Sequence, residues 1–193
     1  EKNALPSRLI INVYGSETIF NLDNKENSTF AIRTLHGILK GQKPDIRRTI
    51  LLKIADQIKC SINHSSELLC VKDLDILKTA NNKLFSIGGH THSHNSLSLL
   101  DYNSQNNEIK INKEILEKII KMNIKHFSFP FGARSDYNNK SLDIIKSLEY
   151  CTAVTTQKSP FRIDGGIYEI PRFSIKNWDS DLFSHKIKNY FNF

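Results

Sequence analysis

Cysteine is scarce: the 193-residue chain has three, Cys60, Cys70 and Cys151. An odd number without metal-ligand spacing excludes a disulfide framework. The expectation is free thiols in the core, with a Cys60–Cys70 bridge as the alternative. No apolar run approaches the roughly 18–20 residues that cross a bilayer, which excludes a transmembrane helix. No basic block with interleaved aromatics is present, so nothing marks a nucleic-acid surface. There is no repeat at a fixed period and no low-complexity tract beyond a richness in Asn, Lys and Ile. The Asn-X-Ser/Thr triplets at Asn27, Asn63 and Asn139 read as products of that richness.

What is present is an ordinary globular composition, 39% hydrophobic and 24% charged, in a length that suits one domain spanning 1–193. With 27 Lys and Arg against 20 Asp and Glu, the formal charge is +7. That balance admits a phosphate, acidic-glycan or anionic-membrane neighbour. The excess is mostly Lys scattered through stretches such as KEILEKIIKMNIK, which reads as a solvated helix face. The chain opens at Glu1 with no Met and no signal-like apolar stretch. The expectation is that processing or truncation has removed what came first, which leaves cytoplasm and cell envelope both open.

The β-branched run RLIINVYG, stopped by Gly15, predicts a buried strand at the start. Helical spacing follows in NSTFAIRTLHGILKG and PDIRRTILLKIADQIK, with Ser28 or Thr29 and Asp45 as N-caps and Gly41 as a stop. VKDLDILKTA predicts a short helix, and LFSIGG the second strand. NKEILEKIIKMNI is the most periodic helix, with Ile115, Ile119 and Met122 on its apolar face. The strand KHFSFPFG, the helix NKSLDIIKSLEY, the strands CTAVTT and YEIPRFSI, and a terminal helix capped by Asp179 complete the order. Strands alternating with helices of this length predict βαβ units around a parallel sheet, open or closed into a barrel. In either form, sites gather at the carboxyl ends of strands. His90, Pro130 to Gly132 and Arg172 all fall there.

SIGGHTHSH, residues 86–94, holds three of the seven histidines in five positions. Neutral imidazole is a common ligand for zinc and related ions. His90 and His94 are four apart, and on a helical turn after a strand they would share one face. His92 would face elsewhere. Gly88 and Gly89 would let the backbone turn without a Cβ penalty. The alternative is a polar loop in which Thr91 and Ser93 cap a helix. Two histidines make an incomplete site, which needs a third ligand, typically a carboxylate from elsewhere in the fold.

IGGHTHSHNSLS resembles the His-(Ser/Thr)-x-x-His motif of the polysaccharide deacetylase (NodB-homology) family. FSFPFG resembles its later Pro-(Tyr/Phe)-Gly motif, and EIPRFSI its Pro-Arg closing strand. The resemblance runs from LPSRLIINV, similar to the family's second strand, to about Ile175. It implies a distorted (β/α) barrel of about seven strands and a single catalytic domain over 1–193. It also implies hydrolysis of acetyl groups from N- or O-acetylated sugars by zinc or a similar divalent ion bound through Asp, His and His. By motif, His90 and His94 would bind the metal, and Thr91 would orient their loop. Pro130, Phe131 and Gly132 would line the groove, where a backbone N–H would donate to the oxyanion.

The sequence also departs from the pattern. The family's first motif, Thr-Phe-Asp-Asp-Gly, supplies the base and the third ligand, and no Asp-Asp dipeptide occurs here. The expectation is a chain lacking the barrel's first strand, either as part of an active enzyme or as a relative without its catalytic aspartates. Unpaired edges on RLIINVYG and on a late strand would then invite association. The family's Arg before the motif Pro is Ser128 here, and Arg172 is the candidate replacement. No Leu-x-His acid motif is evident. His185 reads as a helix surface residue, and Trp178 as packed under the last helix beside Asp179. His36, His64 and His126 read as structural or surface residues, and Tyr137 as a candidate for stacking on a sugar ring. The helical stretch of about 29–80 exceeds a simple βα step and is a candidate for a substrate groove or a dimer contact.

The leading functional expectation is a metal-dependent carbohydrate deacetylase. A catalytically inactive, glycan-binding relative is the alternative. A basic module for anionic surfaces rests on charge alone.

Overall fold

β1, Arg8–Val13, alternates buried Leu9, Ile11 and Val13 with exposed Arg8, Ile10 and Asn12. That two-residue period is the mark of a strand with one covered face, not of one buried on both sides. In the computed structural model, which describes residues 6–13, 15–60, 71–160 and 166–191, β1 pairs antiparallel with β2, Ser16–Asn21. The sequence reading did not anticipate β2. The connection includes Gly15 at φ +81°, a left-handed conformation that glycine adopts without penalty. β1 is thus a hairpin strand rather than the open edge of a barrel. On its other side, Gln57 accepts from the Ile10 N–H at 2.9 Å and donates to the Ile10 carbonyl at 2.6 Å. A side-chain amide there does the work of a strand partner.

The described residues fall into two compact units, Glu1–Cys70 and Val71–Phe193. In the first, α1, Lys25–Lys40, and α2, Pro44–Gln57, join the hairpin. Asn24, not Ser28 or Thr29, caps α1 by accepting from the Asn27 N–H at 2.8 Å. Gly41 ends the helix as expected. Pro44 opens α2 at a position where its missing N–H costs nothing, and Asp45 sits in the first turn instead of capping it. Leu9, Ile11, Val13, Phe20, Ala31 and Ile50 form the core of this unit.

The second unit carries α3, Asp73–Ala80; α4, Tyr102–Ile120; β3, His126–Ser128; α5, Asn139–Ser147; β4, Thr152–Val154; and α6, Ser180–Phe191. β3 and β4 are parallel, with Phe127 opposite Ala153. Single parallel bridges extend the array on either side, Gly89 to Phe127 and Val154 to Ile170. Of the four strands predicted here, KHFSFPFG and CTAVTT form β3 and β4, much shorter than their apolar runs, while LFSIGG and YEIPRFSI contribute only the bridging residues Gly89 and Ile170. Pro130 and Pro171 have no N–H to continue a ladder. Among the described residues the strands do not close into a barrel.

α4 begins ten residues before its predicted start, with Asp101 as N-cap. The early turns are polar, and apolar periodicity does not reveal them. Its buried line is Gln105, Ile109 and Ile120, whereas Ile115 and Met122 are exposed. Phe127, Phe129 and Ala153 pack with Ile109, Ile120, Ile124, Ile144 and Ile145 in one cluster. One face of the short sheet is therefore sealed by α4 and α5.

Cys60 and Cys151 are exposed rather than core residues, because they stand at element ends, after α2 and before β4. Cys70, and with it the Cys60–Cys70 pairing, lies outside the described residues, as do His64 and Asn63. No helix among the described residues is long and apolar enough to cross a membrane.

Candidate functional site

Residues on the other face of the sheet recur at every second position: Gly88 and His90, His126 and Ser128, Val154 and Thr156. All of them line one cavity of about 600 Å³. The pleat puts them there, and of the alternate residues Ala153 is packed in the core while Gly89, Phe127 and Phe129 also border the cavity. Both glycines are needed for close approach rather than for a turn. A Cβ on Gly88 would stand 3.0 Å from the His126 carbonyl oxygen, and one on Gly89 would stand 2.5 Å from the Tyr150 hydroxyl.

His90 and His94 meet at the cavity, their ring centroids 4.8 Å apart and 73° between planes. They do so without the expected helical turn. Residues 90–96 form an irregular loop in which Thr91 and His94 take left-handed φ values of +62° and +54°. Such a conformation is an outlier for a β-branched threonine and costs of order 1–3 kcal/mol per residue. The two reversals fold the chain so that the rings converge. The buried Thr91 accepts from the His94 N–H at 3.1 Å through its hydroxyl. His92 is exposed and does not line the cavity.

His90 Nδ1 lies 2.6 Å from the Ser128 carbonyl oxygen. A carbonyl only accepts, so Nδ1 carries the proton and the Nε2 lone pair is left for a ligand. Desolvation of the ring pushes the His90 pKa below 6.5; the Ser128 bond opposes this, and the charges of His94 and Arg172 add to the depression. The ring is therefore held neutral, which is the metal-binding form.

Two imidazoles facing one cavity are donors of the kind that zinc and related ions take, so His90 and His94 are the residues that would hold such an ion. Among the described residues no third His, Cys, Asp or Glu joins the pair in a metal-holding group.

Of the Pro130-Phe131-Gly132 triplet, only Phe131 lines the cavity, with its ring edge-on to His94 at 4.9 Å. Pro130 and Gly132 are buried and shape the turn. The Gly132 N–H already donates to the Pro130 carbonyl at 2.6 Å. Gly132 sits at φ +74°, and a Cβ there would meet the Thr156 nitrogen at 2.8 Å. Arg172, just past the Ile170 bridge, lines the cavity and donates from Nε to the Thr155 carbonyl at 2.8 Å.

His126 and Tyr137 stand elsewhere than their sequence reading placed them, whereas Asp179, His36 and His185 stand where it put them. His126 lines the cavity with Nδ1 2.8 Å from the Thr152 hydroxyl; strand alternation would have found it. Tyr137 is buried, stacked on Phe129 at 4.1 Å and bonded to Glu169 and Gln157, so its ring is not available to a sugar. Asp179 caps α6 through the Leu182 N–H, and the half-buried Trp178 does not line the cavity. His36 and His185 are exposed on helices. Glu108 and Asn112, one turn apart on α4, were missed. The first binds loop residues 92–95, and the second accepts from the His90 N–H at 2.9 Å. Their only signal was a four-residue polar spacing in NNEIKIN.

A parallel α/β array thus carries a histidine pair at its strand ends. Residues 57–153 match the polysaccharide deacetylase family model, and the chain belongs to that family. The match contains the histidine loop and the Pro-Phe-Gly turn, while β1 and Arg172 lie outside it. Among solved structures, the chain is similar to a deacetylase, PplD, from Streptococcus pyogenes, solved with acetate. The identity is 21% and the TM-score 0.52, over 66% of this chain and 58% of that one. It is also similar to a polysaccharide deacetylase from Bacillus cereus, with 22% identity and a TM-score of 0.55, over 77% of this chain and 49% of that one. The chain thus spans about half the length of these proteins, and the likeness is one of fold. No curated protein sequence matches the chain.

Proposed function

We propose that the chain acts as a carbohydrate deacetylase, hydrolysing acetyl groups from an N- or O-acetylated sugar with zinc or a similar divalent transition metal held by His90 and His94. The supporting observation is the convergence of two imidazoles, 4.8 Å apart, in a cavity of about 600 Å³ that lies mostly within the family match. When bound, such an ion supplies a water activated at neutral pH and a Lewis acid for the acetyl carbonyl.

Around such an ion, the chain's own residues orient one ligand, wall the acetyl group and add a positive charge. The Ser128 carbonyl fixes the tautomer of His90, and desolvation keeps its ring neutral. Phe131 gives the acetyl methyl an apolar wall beside His94. Arg172 brings a fixed positive charge to the cavity, where an oxyanion would be stabilised by it. Acetate, the molecule bound in the PplD structure, is the product this reaction releases.

Acetate release from an acetylated chito-oligosaccharide and from a small acetyl ester, measured with the full chain with and without zinc, tests the reading. Chelation and His94→Ala are each expected to lower turnover by orders of magnitude. Release that survives both overturns the metal chemistry. Oligosaccharide binding with no release under any metal makes the chain a deacetylase-like glycan-binding protein instead.

A further inference from the structure

Four groups of the histidine loop bond to two residues a turn apart on α4. The Glu108 carboxylate accepts from the Ser93 N–H at 2.8 Å through Oε2 and from the Asn95 amide at 3.2 Å through Oε1. The Glu108 backbone carbonyl accepts from the His92 N–H at 2.9 Å. Asn112, four residues on and therefore on the same face of α4, accepts from the His90 N–H at 2.9 Å. A loop with left-handed residues at Thr91 and His94 does not hold that shape by local preference. Asn95 is buried, and its side-chain amide meets the Glu108 carboxylate there.

We propose that Glu108 is the positioning residue of the site, with Asn112 as its partner. α4 would hold the loop from outside the cavity so that the His90 and His94 rings converge. Glu108 does not line the cavity; it acts through the backbone of residues 92–95. The carboxylate is suited to this because it is acceptor-only, with two oxygens for two donors held at fixed places. This inference rests on the metal reading for its functional consequence but not for its structural one.

The test uses the full chain with Glu108→Ala and Glu108→Gln, read in two ways. Without metal, amide hydrogen exchange is followed at residues 92–95. With zinc ion alone as the probe, the dissociation constant is measured by competition with a chelating dye. Glu108→Ala keeps the backbone acceptor of His92 but is expected to lose protection at Ser93 and to weaken zinc binding about 10- to 100-fold, the usual loss for a residue behind a ligand. Glu108→Gln is expected to restore most of both, since its carbonyl still accepts from Ser93 and its NH2 can donate to a flipped Asn95 amide. Protection at residues 92–95 unchanged in Glu108→Ala overturns the proposal, as does zinc affinity that falls no more than in the surface control Glu114→Ala. If the unaltered chain does not bind zinc, the metal reading fails, and hydrogen exchange alone decides the role of Glu108.

Discussion

At the scale of single residues, the site depends on groups that touch at the limit of contact. Gly89→Ala puts a methyl group 2.5 Å from the Tyr150 hydroxyl, and such overpacking costs about 1–3 kcal/mol. That hydroxyl is buried and has no hydrogen-bond partner among the described residues. Burial pushes its pKa well above the usual tyrosine value, and Glu117 pushes it further. Tyr150→Phe is therefore expected to be neutral or slightly stabilising, because it removes a polar atom that gained nothing on burial. In that background Gly89→Ala should cost less than it does alone. Denaturant melts of the two single variants and the double variant measure the coupling; strict additivity would show that the two groups do not collide.

His90 offers a pH test at the same scale. Its folded pKa lies below 6.5 through desolvation first, with Arg172 among the smaller causes. A depressed histidine contributes stability that is present above 6.5 and is lost as pH falls through the folded pKa. An NMR titration of the metal-free chain should give a His90 midpoint below 6.5, and Arg172→Ala should move it upward. A midpoint at or above 6.5 would contradict the desolvated ring.

Among elements, α4 does the most. The face that holds the histidine loop through Glu108 and Asn112 also carries Gln105, three and seven residues before them and fully buried. Gln105 donates to the Leu100 carbonyl at 2.9 Å and accepts from the Ser141 hydroxyl at 2.6 Å. Ser141 lies in the first turn of α5, where Asn138 caps by accepting from its N–H. One amide therefore joins the start of α4 to the start of α5. Gln105→Leu keeps the volume but leaves those partners unsatisfied in the interior, at an expected cost of about 1–3 kcal/mol. Thermal melting checks this, and a gain in stability would mean that water or another group takes over the bonds.

At the scale of the whole molecule, the described residues have two hydrophobic cores, one in each compact unit. Ile50 belongs to the first and Ile144 to the second. Each Ile→Ala change is expected to cost about 2–5 kcal/mol in its own unit. Hydrogen exchange should show Ile50→Ala loosening β1, β2, α1 and α2, and Ile144→Ala loosening α4, α5 and the parallel strands. Loss of protection across both sets from either change would show one cooperative core. The net charge of +7 belongs to this scale too, and it had little to say about the site.

The sequence alone determined what depends on residue type and short-range order. The alternation of helices and strands, the parallel order of the late strands, and Gly41 and Asp179 as helix boundaries were legible, because period and caps are local. It did not determine what needs a third dimension. The convergence of the two rings comes from left-handed turns at Thr91 and His94, not from the helix that a spacing of four suggests. β1 became half of a hairpin because Phe20 and Ile11, in strands adjacent in the chain, could share one covered face. Glu108, Asn112 and His126 join the site only because α4 and β3 lie beside the loop in space, at sequence separations of up to 38 residues for a single hydrogen bond, and no window along the chain can register such neighbours.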